Sequence, residues 1–153
     1  MVHSKKMNTD TNELKHLFII GAPRAGTTVI SSTLNQNKFY NASNPNETMY
    51  FLNDNLSKDF YIKTYFENRN GIKIDSSPQY FLHPNLIHKN IQKFYTEKES
   101  KFIIILRNPY DRLISHYNYF KNLDIENKSL DEALENEMSK IYINNKINYP
   151  KKP

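Results

Sequence analysis

The run from Gly21 to Thr28, GAPRAGTT, follows the apolar stretch LFII and has the composition of an anion-binding loop. Gly21 and Gly26 have the separation of the two glycines in a phosphate-binding P-loop. Thr27 stands where an ATPase carries lysine, and Arg24 lies inside the loop. Such a loop directs backbone N–H groups at an anion, and the threonines and the arginine add donors. The alternative is a glycine turn that only packs a strand against a helix.

A second candidate segment is LRNPYDRLISHY, residues 106–117. Arg107 comes at the end of an apolar run, and Ser115 lies eight residues later in a predicted helix. An arginine and a hydroxyl near a helix N-terminus can hold a second phosphate, separate from the first. Arg112 can instead be solvated or pair with Asp111, and the segment is also typical of an ordinary amphipathic helix.

A third candidate segment is residues 75–80, which Asp75 begins at the end of an alternating strand. A carboxylate at this position could accept a proton. An aspartate at a strand end often only caps the following turn, which is the alternative for Asp75.

These segments require elements that bring them together, and the sequence predicts alternating strands and helices. The predicted strands are residues 17–21, 71–75 and 101–107. The predicted helices begin at Gly26, span 57–68 and 84–94, begin at Pro109, and span 129–140. Ser129 with Glu132 forms a capping box for the last helix, and residues 35–46 are predicted to form a loop.

This alternation predicts an α/β fold with a parallel central sheet flanked by helices in three layers. Ligands of such sheets bind at the carboxyl ends of the strands. Three candidate segments each begin where a predicted strand ends: residues 21–28, 75–80 and 107–112. We therefore expect the three segments to share one edge of the sheet.

Length and composition limit the classes of protein to which the chain can belong. The 153 residues suit one domain, predicted as a flexible leader at 1–15 and a folded part at 16–153. The absence of cysteine excludes disulfides and thiolate chemistry. The net charge of +5 favours anionic ligands, but the lysines are scattered. The polar N-terminus lacks the apolar core of a signal peptide, and no apolar run has the length of a membrane span, so a cytoplasmic protein is expected.

Together, the loop and the Arg107 segment resemble the sulfotransferase family, in the arginine form common among its bacterial and carbohydrate-acting members. The resemblance implies that the donor is 3′-phosphoadenosine 5′-phosphosulfate (PAPS), used without a metal. It implies that the acceptor is a hydroxyl or amine, on a carbohydrate or small molecule, and that no nucleic acid is bound. It also explains the missing P-loop lysine, because no ATP–magnesium complex is handled.

The resemblance also implies residue roles. The 5′-phosphosulfate would be held by Gly21, Ala22, Pro23, Arg24, Ala25, Gly26, Thr27 and Thr28. Arg24 would neutralise charge at the bridging oxygen, and Arg107 with Ser115 would hold the 3′-phosphate. Asp75 matches the position of the family's glutamate base. The segment NETMYF, residues 46–51, matches a second family stretch less well, and Glu47 in it would contact the acceptor together with Tyr80. Histidine is the base in the family's small-molecule branch, so the alternative bases are His83, His88 and His116, although each also suits a surface or packing position.

Sulfotransferase domains are longer than this chain, so the fold is expected to be truncated at the C-terminus. The two alternatives are a truncated product and a minimal variant that a partner chain or an oligomer completes. Two other functions stay open. One is a divergent P-loop kinase or ATPase, and the other is a non-catalytic protein that binds nucleotides or polyanions.

Overall fold

A computed structural model describes residues 14–147 of the chain, with side chains through residue 139. Four parallel strands form one sheet: β1 (His16–Ile19), β2 (Tyr40–Ala42), β3 (Ile72–Asp75) and β4 (Ser100–Ile103). Their order in the sheet is β2-β3-β1-β4. The predicted parallel α/β architecture is confirmed.

Side chains of β1 alternate between the two faces of the sheet and form two apolar cores. Phe18 packs with side chains from α2 (Lys58–Tyr65) and α3 (Pro84–Gln92). Leu17 and Ile19 pack on the opposite face, where α1 (Thr27–Asn35) contributes Leu34. The period of two that a strand imposes therefore places helices on both faces and gives the three predicted layers.

Local sequence signals fix the helix starts. The Ser57 side chain accepts a hydrogen bond from the Phe60 N–H and so caps α2. Proline occupies the first turn of α3, where its missing N–H costs nothing.

The chain divides into two compact units at Asn108 and Pro109. The second unit holds α4 (Pro109–Asn122) and α5 (Leu130–Ile147). The predicted capping box is present, because the Glu132 carboxylate accepts from Ser129 N–H at 2.8 Å and the Ser129 hydroxyl accepts from Glu132 N–H at 3.3 Å.

Several predicted boundaries were wrong. Residues 35–46 include β2, a short edge strand whose central Asn41 is buried and donates to the backbone carbonyls of Glu67 and Arg69. The sequence did not predict this strand because its residues form no apolar pattern. The strand is held in place by its pairing with β3. β4 ends at Ile103 rather than 107, and α5 continues to Ile147 rather than 140. Of the predicted leader, 1–13 lie outside the described residues.

His16 is a fully buried polar residue at the start of β1. Burial, with the charges of Lys73 and Lys58, holds its pKa well below the usual value. The unfolded chain binds a proton to this imidazole near pH 6.5 while the folded chain does not, so folding is opposed as the pH falls.

We therefore expect the free energy of unfolding to fall by up to about 1.4 kcal/mol per pH unit below about pH 6.5. The His16→Gln variant should lose this part of the slope. The measurement is urea unfolding followed by circular dichroism at pH 7.5, 6.5 and 5.5, with His88→Gln on an exposed helical position as control. Burial raises the pKa of Asp75, which gives the unfolding free energy a pH dependence of the opposite sign. Asp75 is present in both variants and in the wild type, so this contribution does not affect the comparison. Equal slopes in His16→Gln and wild type would contradict the assignment.

Candidate functional site

The loop between β1 and α1 presents backbone donors at the carboxyl edge of the sheet. Arg24 and Gly26 both have left-handed backbone, with φ of 67° and 103°. Within residues 14–147, no acceptor is found for the N–H groups of Gly26, Thr27 and Thr28, which lead into α1. Turns with left-handed residues aim successive N–H groups at one point, and the helix N-terminus adds positive potential. The loop can therefore bind an anionic group.

Space for such a group exists in front of the loop. A Cβ built on Gly26 would meet no atom within 4 Å, and Thr28 is exposed. Arg24 is exposed beside these donors, and the Arg107 guanidinium donates to the Arg24 carbonyl at 3.2 Å. Arg107 is itself exposed. Two guanidinium groups are thus associated with one loop, and both can make charge-assisted hydrogen bonds to anionic groups.

Gly21 is required for a close backbone approach rather than for unusual dihedral angles. The Ala22 N–H donates to the Ile105 carbonyl at 3.2 Å, which ties the loop to the chain that leaves β4. A Cβ on Gly21 would lie 2.6 Å from the Ile105 oxygen and 2.7 Å from its nitrogen. Only glycine fits at this position.

The Gly21→Ala variant should therefore lose about 2–3 kcal/mol of unfolding free energy, because backbone atoms must move apart. Gly26→Ala meets no atom and should lose about 1 kcal/mol through its left-handed backbone alone. Chemical denaturation of both variants measures the difference. A larger loss in Gly26→Ala than in Gly21→Ala would contradict this account of the loop.

Asp75 ends β3, and its backbone pairs with Phe18 of β1. Its side chain is 0% exposed and accepts hydrogen bonds from four hydroxyls. The donors and distances are Thr48 (2.6 Å), Ser77 (2.6 Å), Tyr61 (2.9 Å) and Tyr80 (3.0 Å). Burial raises the pKa of Asp75, and the four hydrogen bonds oppose that shift. These neighbours hold the carboxylate inside the protein.

Glu47 has a different environment from Asp75. Its side chain is exposed, and partial desolvation and the Asp75 charge raise its pKa, whereas Arg24 lowers it. Its neighbour Asn46 accepts a hydrogen bond from the Ser31 hydroxyl of α1 at 2.7 Å. Glu47 is therefore an accessible carboxylate beside the anion-binding loop.

The structure brings several of the predicted site residues together in the first unit. These are the 21–28 loop, Glu47, Asp75, Tyr80 and Arg107. Tyr80 is fully buried, and its hydroxyl donates to Asp75 and accepts from the Phe51 N–H. Ser115 lies in α4 of the second unit, so its pairing with Arg107 stays a prediction.

Sequence reasoning missed three of the four hydroxyls that surround Asp75 and identified only Tyr80, as a contact of the acceptor. Thr48 adjoins Glu47, and Ser77 lies two residues from Asp75, which was a usable signal. Tyr61 gave no signal, since a tyrosine at helical spacing is by default a core residue. The predicted alternative bases His83 and His88 flank or lie in α3 and are exposed.

Two features are absent from the described part of the chain. No helix within residues 14–147 is long and apolar enough to cross a membrane. The same residues contain no group of three or more histidine, aspartate or glutamate side chains that could hold a metal ion.

The parallel sheet and its glycine loop define an α/β protein with an anion-binding site at the carboxyl edge of the strands. A profile of the sulfotransferase domain matches residues 14–149, so the chain belongs to the sulfotransferase family. The crystal structure of a sulfotransferase from Alicyclobacillus acidocaldarius has the same fold, with a TM-score of 0.69 and 22% sequence identity. The match covers 86% of this chain and 60% of that protein. No curated protein sequence gave a significant match.

Proposed function

We propose that this chain binds PAPS and transfers its sulfuryl group to a hydroxyl or amine acceptor. The observation that carries the proposal is the anion-binding loop of a sulfotransferase-family chain, with Arg24 and Arg107 beside it. The acceptor we favour is a carbohydrate or other small molecule, and the compartment we propose is the cytoplasm. A partner chain or an oligomer stays a prediction of the sequence.

The donor set fits PAPS. A 5′-phosphosulfate accepts hydrogen bonds at every terminal oxygen. The donors that match it are the three N–H groups leading into α1, the exposed Thr28 and the Arg24 guanidinium. Arg107 is the residue we assign to the 3′-phosphate. It is exposed and is held near the loop by its hydrogen bond to the Arg24 carbonyl.

PAPS supplies a sulfuryl group whose departure leaves negative charge on the 5′-phosphate oxygen. The N-terminus of α1 and Arg24 provide positive potential at the 5′-phosphate, and they stabilise the negative charge as it grows. A nearby carboxylate must accept the acceptor's proton as the new S–O or S–N bond forms.

We infer that Glu47 rather than Asp75 takes this proton. A base must reach the acceptor, and Glu47 is exposed whereas Asp75 is buried among four hydroxyl donors. The raised pKa of Glu47 also makes it a stronger base than an ordinary glutamate. Asp75 as the base, the role implied by the resemblance, stays a competing prediction.

The test is incubation of the full chain with isotopically labelled PAPS and a panel of sugars, phenols and amines. Labelled acceptor together with stoichiometric 3′,5′-ADP is the expected product. Tight binding of 3′,5′-ADP without transfer to any acceptor would instead favour a non-catalytic nucleotide-binding protein. Binding that requires ATP and magnesium would favour a divergent kinase or ATPase.

A further inference from the structure

We propose that Asp75 is a positioning residue: through the hydroxyls around its carboxylate it fixes segment 46–51, and with it Glu47, at the end of β3. This inference rests on the proposed function only for the role of Glu47 in transfer. The positioning itself is a property of the folded chain without ligand.

Two of the hydroxyls connect Asp75 to the backbone of segment 46–51. Ser77 donates to Asp75 Oδ1 at 2.6 Å and accepts from the Met49 N–H at 3.0 Å. Tyr80 donates to Oδ2 at 3.0 Å and accepts from the Phe51 N–H at 3.1 Å. Each bridge therefore runs from a backbone amide through one hydroxyl to the carboxylate.

A third hydroxyl belongs to the segment itself. Thr48, next to Glu47, donates to Asp75 Oδ2 at 2.6 Å, and its oxygen accepts from the Tyr50 N–H at 3.1 Å. An ionised carboxylate can only accept, so it orients each hydroxyl proton inward and leaves each oxygen free to accept from an amide. An amide side chain at position 75 could not orient all of these donors.

The opposite end of the segment is anchored separately. The Asn46 carbonyl accepts from the Ser43 hydroxyl at 2.9 Å and the Ser76 N–H at 3.3 Å. Met49 has left-handed backbone with φ of 50°, which a residue other than glycine seldom adopts unless its surroundings enforce it. Glu47 is the exposed residue between these two anchors. Its backbone is held between the two anchors, and its side chain is exposed.

A buried hydrogen-bond chain supports Asp75 from the core. Tyr61 donates to Asp75 Oδ2 at 2.9 Å, so its oxygen must accept from His16 Nε2, which lies 3.1 Å away. His16 Nδ1 then accepts from the Tyr95 hydroxyl at 3.2 Å. A neutral imidazole with its proton on Nε2 satisfies every group, and all donors in the chain point toward Asp75.

Amide hydrogen exchange tests the bridges one at a time. Ser77→Ala removes the acceptor of the Met49 amide and leaves that of the Phe51 amide in place. It should therefore accelerate exchange of the Met49 amide about 10-fold and leave exchange of the Phe51 amide unchanged. Tyr80→Phe should do the reverse, and Asp75→Asn should accelerate both. The Ser43 amide, bonded to the Ile74 carbonyl at 2.9 Å, is the internal reference, and Ser32→Ala on the exposed face of α1 is the matched control. Uniform acceleration of all amides, or no change at Met49 and Phe51, would overturn the proposal.

The link to transfer is tested with Thr48→Val, which keeps the branched shape and removes the hydroxyl. It should slow single-turnover transfer about 10-fold and leave 3′,5′-ADP affinity within about threefold. Thr64→Val on the exposed side of α2 is the control and should match wild type in both. Wild-type transfer by Thr48→Val would overturn the role of the bridge. If the wild-type chain transfers nothing, the proposed function fails, and the exchange experiment still decides the positioning.

Discussion

Replacing Glu47 by glutamine is expected to slow sulfuryl transfer about 10²- to 10⁴-fold, the usual contribution of a general base. The amide keeps the shape of the side chain but cannot accept the acceptor's proton. Affinity for 3′,5′-ADP should stay within about threefold, since this nucleotide carries no proton for Glu47 to remove. Single-turnover transfer measured beside calorimetric nucleotide affinity gives both quantities.

Asp75→Asn is the comparison that separates the two candidate bases. If Asp75 acts by positioning, Asp75→Asn should slow transfer less than Glu47→Gln does. Asp75→Glu should not improve the rate, because the longer side chain must fit a space that four hydroxyls already surround. Full transfer by Glu47→Gln together with a large loss in Asp75→Asn would return the role of base to Asp75.

Replacing Arg107 by alanine is expected to weaken 3′,5′-ADP binding about 10- to 150-fold. A charge-assisted hydrogen bond contributes about 1.5–3 kcal/mol, and Arg107 is the guanidinium that we assign to the 3′-phosphate. Binding of 5′-AMP, which lacks that phosphate, should change little. Titration calorimetry with the two nucleotides measures the difference.

Lys101→Ala is the matched control for the loss of one positive charge, since Lys101 is exposed on β4 of the same unit. It should leave both affinities near wild type. Equal losses of 3′,5′-ADP and 5′-AMP in Arg107→Ala would show that Arg107 supports only the loop, through its hydrogen bond to the Arg24 carbonyl.

The architecture could be predicted because its signals are local. The apolar runs gave β1 and β4, Asn108-Pro109 gave the start of α4, and Ser129 with Glu132 gave the cap of α5. The polar edge strand β2 had no such signal. Its buried Asn41 is satisfied by the carbonyls of Glu67 and Arg69, which are distant in sequence.

The sequence identified the two carboxylates of the candidate site but not their environments. Asp75 and Glu47 were both identified, yet a sequence cannot show that one carboxylate is buried and the other exposed. That difference arises because Tyr61 and Tyr80 come from separate elements and direct their hydroxyls at Asp75. Tertiary packing, rather than residue type, therefore decides which carboxylate can reach an acceptor.

The most direct test of a PAPS-type donor site is calorimetric titration of the full chain with 3′,5′-ADP in EDTA. We predict one site that needs no metal and that binds 3′,5′-ADP at least about 10-fold more tightly than 5′-AMP, because a second phosphate adds a charge-assisted contact. A folded chain that does not bind 3′,5′-ADP and that binds ATP only with magnesium would contradict the assignment of a PAPS-type site.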